Sequence, residues 1–139
     1  MQQSLAAYLF FVLKLQAVQS FFFIRQDGRN VKVDFRNILY IEARKNYTRL
    51  VMEDRSAMVL ITLKQWERIL PSQLFCRVHR GYIVSVERIL SFDNKYVYLP
   101  GMNIAIGEQY RNALPSTVLI VANEAPRKDV LSDLEVEVF

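Results

Sequence analysis

Residues 31–62 read VKVDFRNILYIEARKNYTRLVMEDRSAMVLIT, and the short apolar runs in this stretch decide the fold class. Val31, Val33 and Phe35 alternate with Lys and Asp, which is the two-residue period of a half-buried strand. Polar residues typical of turns separate this run from the runs that follow it. The stretch therefore predicts consecutive strands at residues 31–35, 38–41, 47–52 and 57–62.

The segment that precedes this stretch predicts a β-hairpin. Residues 21–24 are aromatic or β-branched, and residues 27–30 (DGRN) begin with an Asp-Gly pair that favours a tight turn. Because residues 31–35 follow directly, we expect the two apolar runs to pair with each other.

The segment that follows the stretch predicts a helix. Thr62 and Gln65 have the spacing of a capping box, in which each side chain binds a backbone N–H of the first turn. Apolar residues at 63, 66, 69 and 70 lie on one face of such a helix, and Pro71 ends it.

The remainder of the chain predicts more short strands and one more helix. We expect a last helix at residues 108–114 that ends before Pro115, and residues 134–139 alternate like an edge strand or a partner-pairing segment. Further strands are predicted at residues 82–84, 88–92, 96–99, 103–106 and 118–122, with a turn at 93–95. Many short strands with few helices indicate a mainly β fold, an all-β or β-dominated sandwich.

Length and composition exclude several classes of protein. A chain of 139 residues suits one domain, and 52% hydrophobic content excludes a largely disordered chain. The single Cys76 excludes an internal disulfide, and one Cys with one His argues against a structural zinc site. This cysteine usage fits a reducing, cytoplasmic location, and no cofactor is expected.

The charge of the chain is unevenly distributed. Residues 20–114 carry 15 Lys and Arg against 9 Asp and Glu, whereas residues 115–139 carry 2 against 5. A basic middle with an acidic tail indicates a polyanionic partner for the middle, either nucleic acid or an anionic membrane surface.

Residues 5–13 (LAAYLFFVL) are continuously apolar but too short to span a membrane. A bilayer span needs about 20 apolar residues, and Lys14 interrupts the run after nine. The start, MQQS, has no basic residue of the kind that opens a secretory signal. We expect a buried or partner-facing helix here rather than a membrane anchor.

The sequence gives little support to an enzyme. It has no Gly-rich phosphate loop, no paired-histidine metal motif and no Gly-x-Ser-x-Gly elbow. Cys76 and His79 could form a nucleophile pair, but no orienting group or oxyanion stabiliser accompanies them. We therefore predict no catalytic residues.

Three polar clusters interrupt the strand pattern at intervals of about 30 residues. They are residues 44–49 (RKNYTR), 77–81 (RVHRG) and 109–112 (QYRN), each at a change of element. Loops on one side of a β scaffold can converge, so the clusters are expected to form one surface. Because they are polar throughout, without an exposed apolar face, they suit DNA better than a membrane.

The side chains of these clusters match the chemistry of duplex DNA. Cations such as Lys45 neutralise phosphates, and the fork of Arg80 can bind both O6 and N7 of guanine. The amides of Asn46 and Gln109 can bind both N6 and N7 of adenine. Phosphate contacts are also predicted for Arg49, Arg77 and Arg111. The alternative, which stays open here, is that several of these arginines only pair with Glu42, Glu67 or Glu108.

Four segments make the sequence resemble the LytTR-type DNA-binding domain. The strongest is FCRVHRGYIV at 75–84, close to the family's Phe-x-Arg-Val-His-Arg-Ser-Tyr-Ile-Val-Asn. The other three are ILYIEA at 38–43 with Asn46-Tyr47, the helix at 63–71, and IAIGEQYR at 104–111. They occur in the family's order and spacing over about residues 21–114.

The resemblance implies a stack of small, mostly antiparallel sheets with one or two short helices, whose loops enter the major groove. It implies the output half of a bacterial two-component response regulator that binds direct-repeat promoter sites as a dimer and bends the DNA. It also implies a contact at Thr48 or its neighbours, Arg80 on a base, and Gln109 in the next groove. The complete predicted set of DNA-binding residues is Arg44, Lys45, Asn46, Thr48, Arg49, His79, Arg80, Gln109 and Arg111.

The sequence departs from the family pattern at a few positions. Gly81 stands where many members have Ser, and Ser85 where many have Asn. Glu108 and Gln109 replace two cations, so the third contact differs from the usual one. These departures and the acidic tail support an alternative function, a protein-interaction module that has lost specific DNA binding.

The expected organisation has three parts. They are an apolar helix or linker at 1–19, a LytTR-like DNA-binding domain at 20–115, and an acidic extension at 116–139. The 20 residues before the strands cannot hold a receiver domain, so we expect either a fragment whose receiver lies upstream or a free-standing regulator, with any receiver or histidine kinase system outside this chain.

Overall fold

A computed structural model describes residues 4–7 and 20–123 of the chain. A five-stranded antiparallel sheet in the order β5-β4-β3-β7-β6 lies at its centre, with a two-stranded sheet (β1-β2) and a three-stranded sheet (β10-β9-β8) beside it. The strands are β1 Phe21–Gln26, β2 Arg29–Asp34, β3 Ile38–Ala43, β4 Thr48–Met52, β5 Ser56–Val59, β6 Phe75–His79, β7 Tyr82–Ser85, β8 Ser91–Phe92, β9 Tyr96–Leu99 and β10 Met102–Ala105. The helices are α1 Leu63–Ile69 and α2 Ala113–Thr117, and short 3-10 turns cover Phe35–Asn37, Val86–Arg88 and Glu108–Tyr110. The predicted mainly β fold, a stack of small, mostly antiparallel sheets with one or two short helices, is confirmed.

The β1-β2 hairpin forms where the sequence predicts it. Asp27 and Gly28 both have positive φ, 50° and 75°, at the tip of the turn. Gly adopts this backbone conformation without strain and Asp tolerates it, which is why an Asp-Gly pair suits a two-residue hairpin loop. Phe21 then pairs with Asp34 and Gln26 with Arg29, six registered pairs in all.

Helix α1 begins with the predicted capping box. The Thr62 hydroxyl accepts a hydrogen bond from the Gln65 backbone N–H at 3.1 Å, and the Gln65 side chain accepts one from the Thr62 N–H at 2.8 Å. The helix buries Trp66 in a core formed with the hairpin and one face of the central sheet, including Ile41 and Leu50. Burial of large apolar side chains of this kind is the main stabilising contribution.

A second core covers the opposite face of the central sheet. Along β3, Ile41 belongs to the first core and Tyr40 to the second, as expected for side chains that alternate across a strand. Val97 and Ile104 of the three-stranded sheet and Leu114 of α2 close this second core. The central sheet is thus enclosed on both faces and gives its connecting loops a rigid base.

The structure corrects the predicted path around β6 and β8. Residues 77–79, part of the polar cluster predicted at 77–81, belong to strand β6 at the edge of the central sheet, with a register shift between Arg77 and His79. The strand predicted at 88–92 is reduced to Ser91–Phe92 after a 3-10 turn, and the strand predicted at 57–62 ends at Val59.

The end of the described chain also differs from the prediction. The helix expected at 108–114 is a 3-10 turn followed by α2, which continues through Pro115 to Thr117. Pro115 is the third helical residue, where the backbone N–H has no intrahelical partner, so proline is tolerated there. Residues 118–122 form no strand, and Leu119 is among several exposed apolar residues there.

Two predicted segments lie largely beyond the described residues. Of the expected N-terminal helix, Leu5–Ala7 is helical and the remainder is outside the description, as is the alternating segment 134–139. In the described ranges, no helix has both the length and the apolar content needed to cross a membrane.

Candidate nucleic-acid interface

Sheet topology brings two of the polar clusters to one end of the central sheet. Strand β7 is antiparallel to both β3 and β6, so β3 and β6 run in the same direction. The loop after β3 (residues 44–47) and the turn after β6 (residues 80–81) therefore leave the sheet at the same end. The Ala43 N–H donates a 2.8 Å hydrogen bond to the Gly81 carbonyl and joins them directly.

The third cluster joins the same end through the backbone that follows β10. The Gly107 N–H donates a 2.9 Å hydrogen bond to the Val78 carbonyl of β6. A Cβ at Gly107 would lie 3.1 Å from the Tyr110 ring and 3.7 Å from the His79 backbone, so the close approach favours glycine. All three clusters thus meet around the β6-β7 turn.

Four of the exposed side chains in the predicted DNA-binding set have no partner within the described residues. Lys45, Asn46, Arg80 and Gln109 are each exposed, and none forms an ion pair or a side-chain hydrogen bond within residues 20–123. Their charged and amide groups are therefore available to a ligand. We name this set the exposed polar edge.

Two predicted arginines instead pair with a carboxylate of β3. Glu42 Oε1 lies 2.8 Å from Arg44 Nε and 3.7 Å from Arg49 Nη1. The Arg44 contact is one of charge, because it lacks the alignment of a hydrogen bond. The Tyr82 hydroxyl donates to Glu42 Oε2 at 3.2 Å, and the pKa of Tyr82 is raised by burial and then by this carboxylate. Both arginines remain partly exposed, so they are held in position rather than removed from the surface.

Thr48 is not available for the predicted contact. Its side chain is only 2% exposed, and its hydroxyl accepts a 2.8 Å hydrogen bond from the Trp66 indole while lying 3.2 Å from the Val59 carbonyl, to which it donates. Thr48 lies on the same face of β4 as Leu50, so its hydroxyl faces the first core. The prediction at Thr48 is wrong, and its neighbours in the 44–47 loop remain candidates.

Arg77 also differs from its predicted role as a phosphate contact. Its guanidinium binds Glu67 Oε1 at 2.9 Å and the Arg80 carbonyl at 2.6 Å, which uses its donors inside the protein. The arginine therefore supports the turn that carries Arg80.

His79 and Arg111 are only partly committed to other groups. His79 is half-buried, and its Nδ1 accepts a 3.0 Å hydrogen bond from the Gly81 N–H. Arg111 is exposed and lies 3.9 Å from Glu108, a contact that solvent weakens. Both side chains retain groups that could reach a ligand.

The structure adds one residue, Lys64, that sequence spacing did not indicate. Lys64, in the first turn of α1, lines a cleft together with the 44–47 loop and Arg80. Its cation thus adds to the positive charge of the exposed polar edge. No sequence signal marks it, because only the packing of α1 against the sheet brings it there.

Two of the sequence departures have clear structural settings. Ser85 is only 2% exposed in β7, so its difference from Asn does not alter the polar surface. A Cβ at Gly81 would lie 3.5 Å from His79 Nδ1, an ordinary contact, so there is room for the serine that other members carry.

The described residues offer no second kind of chemical centre. Cys76 is buried, and burial raises the pKa of its thiol, which favours the unreactive protonated form. In the ranges 4–7 and 20–123, no three metal-ligating side chains of the His, Cys, Asp or Glu type come together.

Comparisons with known proteins agree with this arrangement. The family model of the LytTr DNA-binding domain matches residues 28–118. Among solved structures, the chain is similar to the LytTr DNA-binding domain of a Bacillus cereus protein described as a methyl-accepting/DNA response regulator. The TM-score is 0.57 at 21% identity, covering 66% of this chain and 90% of that one, which shows a shared fold. No curated protein matches the chain. Because the family model covers well over half of the residues, the protein belongs to the LytTr DNA-binding domain family.

Proposed function

We propose that this protein is a sequence-specific DNA-binding transcriptional regulator that reads the major groove with its loops. The observation that carries the proposal is the exposed polar edge. Asn46, Arg80 and Gln109 are exposed on three segments that backbone hydrogen bonds join at one end of the sheet. Amide and guanidinium groups are the side-chain types that distinguish base pairs in the major groove.

The proposed roles follow from the donor geometry of each side chain. Arg80 binds O6 and N7 of a guanine, and Asn46 binds N6 and N7 of an adenine in the same groove. Gln109, on the third segment, reads an adenine in the next groove. Contacts of this kind supply discrimination between bases, whereas contacts to the backbone supply register and affinity.

The cations around these residues bind phosphates. Lys45 and Arg111 are exposed. Arg44 and Arg49 pair with Glu42 and remain partly exposed. Neutralising a phosphate releases counterions, so each contact adds affinity that falls as salt rises. His79 completes the predicted set at the β6-β7 turn.

The proposed context is the output domain of a cytoplasmic two-component response regulator. The structural similarity to a response-regulator domain supports this context. The partner is double-stranded DNA with direct-repeat sites, to which two copies bind as a dimer. The receiver domain or histidine kinase system that controls it is not part of residues 1–139.

Selection of bound duplexes from a random pool at two salt concentrations tests the proposal. We expect a single enriched sequence at both concentrations, containing two half-sites in the same orientation. Raising the salt should weaken phosphate binding and leave base discrimination, so the enrichment should sharpen. Recovery of unrelated sequences at both concentrations would contradict base recognition.

One observation favours a second candidate, a protein-interaction module on the same fold. Glu108 is 88% exposed next to Gln109 and gives the third segment a negative charge that repels phosphate. This module should show no salt-dependent binding to any duplex and should retain a protein partner at high salt after nuclease treatment. A salt-dependent shift of duplex DNA would eliminate it.

A further inference from the structure

Arg77 is held by four groups from three parts of the fold. Its Nη1 donates to Glu67 of α1 at 2.9 Å, and its Nη2 donates to the Arg80 carbonyl at 2.6 Å. Its Nε donates to the His79 carbonyl at 3.4 Å, and its guanidinium lies 5.9 Å from the centre of the Tyr110 ring. Only 24% of the side chain is exposed.

The two carbonyls bound by Arg77 belong to His79, the last residue of β6, and to Arg80, the first residue of the β6-β7 turn. Arg80 is the exposed side chain of that turn, and its own carbonyl receives the shortest of the Arg77 hydrogen bonds. Gly81 is fixed on the other side, where its N–H donates to His79 Nδ1 and its carbonyl accepts from Ala43. The turn is therefore fixed at each residue while the Arg80 guanidinium stays free.

We propose that Arg77 is a positioning residue that sets the conformation of the β6-β7 turn and so aims Arg80 at its base. Through its contact with the Tyr110 ring, Arg77 also helps to position the third segment, residues 109–112. The inference rests on the proposed function, in which Arg80 reads a base. It gives Arg77 no direct contact with DNA.

The chemistry requires arginine at this position. A planar guanidinium presents five donors in a fixed fork and can bind Glu67 and two carbonyls together. The ammonium group of lysine is a single point of charge and cannot reach all three acceptors at once. Arg77→Lys therefore keeps the charge but loses hydrogen bonds that hold the β6-β7 turn.

The first test compares Arg77→Lys with the matched control Arg68→Lys. Arg68 is an exposed arginine of α1 with no ion pair or hydrogen bond in the described residues, so the same change there removes no contact. Affinity is measured for a selected duplex and for a scrambled duplex of equal length. We expect Arg77→Lys to lose roughly 10-fold on the selected duplex, with scrambled binding and the salt slope unchanged. Arg68→Lys should match wild type on both.

The second test is hydrogen exchange without DNA. Arg77→Lys should speed exchange at the amides of Gly81 and Gly107, and leave the amide of Leu50 in β4 unchanged. Because this measurement needs no DNA, it still decides the inference if the wild-type protein binds no duplex and the proposed function fails. Trp66 fluorescence confirms that the variant is folded.

Glu67→Gln decides the inference if Arg77→Lys does not fold. This change weakens the hydrogen bond between Arg77 and residue 67. We therefore expect a smaller loss of affinity for the selected duplex, roughly 2- to 3-fold, and faster exchange of the Gly81 amide. If the folded variants exchange their amide hydrogens and bind the selected duplex as wild type does, the inference is overturned. Equal losses on both duplexes with Arg77→Lys would show that the residue does not act through base recognition, and would overturn the inference as well.

Discussion

Thr48 shows how a single polar side chain can look like a binding residue and serve the core. Its hydroxyl is the acceptor for the indole N–H of Trp66, which is itself 1% exposed. Neither partner can reach water, so each depends on the other. The bond fixes helix α1 against strand β4.

Thr48→Val should therefore destabilise the protein without affecting its surface. Valine has nearly the same shape but leaves the Trp66 N–H buried without an acceptor, which costs about 1–3 kcal/mol. Urea unfolding, followed by the fluorescence of the single tryptophan, measures the loss. Ser56→Val, at an exposed position of β5 whose side chain makes no hydrogen bond in the described residues, is the control and should change stability by less than about 0.5 kcal/mol. Normal stability with weakened DNA binding would restore Thr48 as a contact.

Glu42 marks the limit of sequence-based reasoning at the residue scale. The sequence allowed Arg44 and Arg49 to be either DNA-binding residues or partners of Glu42, and the structure shows the pairing. Arg49 lies opposite Glu42 on the neighbouring strand, so strand register decides the contact. The roles of Arg80, Asn46 and Gln109 follow from residue chemistry and stay predictions until DNA binding is measured.

At the scale of elements, the turn between β8 and β9 depends on one carboxylate. Asp93 Oδ1 accepts hydrogen bonds from the backbone N–H groups of Tyr96 at 2.8 Å and Lys95 at 2.7 Å. These bonds, the Tyr96 one first, hold the pKa of Asp93 below its usual 3.8. A carboxyl with a depressed pKa in the folded state stabilises the fold above its ordinary pKa, and this contribution is lost as pH falls through the lowered value.

Asp93→Asn should lower the free energy of unfolding at pH 7 but not in strong acid. Asparagine keeps the acceptor and loses the charge, so the difference from wild type should shrink as pH falls below 3.8. Urea unfolding at a series of pH values measures it. Glu87→Gln removes an exposed carboxylate with no hydrogen bond in the described residues and serves as control. A difference that stays constant with pH would contradict the assigned role.

Elements with local signals could be predicted, and elements fixed by tertiary contacts could not. The hairpin and the capped helix α1 follow from the Asp-Gly turn and the Thr62-Gln65 pair. Strand β6 was missed because Arg77 and His79 make it look like a polar loop, and only pairing with β7 reveals it. Residues 118–122 have a strand's composition but no neighbouring strand, so composition alone misled the prediction.

At the scale of the whole molecule, affinity should depend on the summed charge at one end of the sheet. Lys45→Ala should weaken binding to every duplex by a similar factor, and should reduce the slope of log affinity against log salt by about one. Titrations at several salt concentrations measure the slope. Lys32→Ala removes the same charge from β2, where the ammonium lies 4.2 Å from the Phe21 ring, and should leave the slope unchanged. Equal slopes for wild type and Lys45→Ala would contradict the phosphate contact.

The central claim is that Arg80, held by a rigid turn at the meeting point of three segments, reads a base. The most direct measurement compares the affinities of wild type and Arg80→Ala for the selected duplex and for its scrambled counterpart at one salt concentration. We predict a loss of about 1–3 kcal/mol on the selected duplex, a much smaller loss on the scrambled one, and relaxed preference at one base pair. Equal losses on both duplexes would contradict the claim.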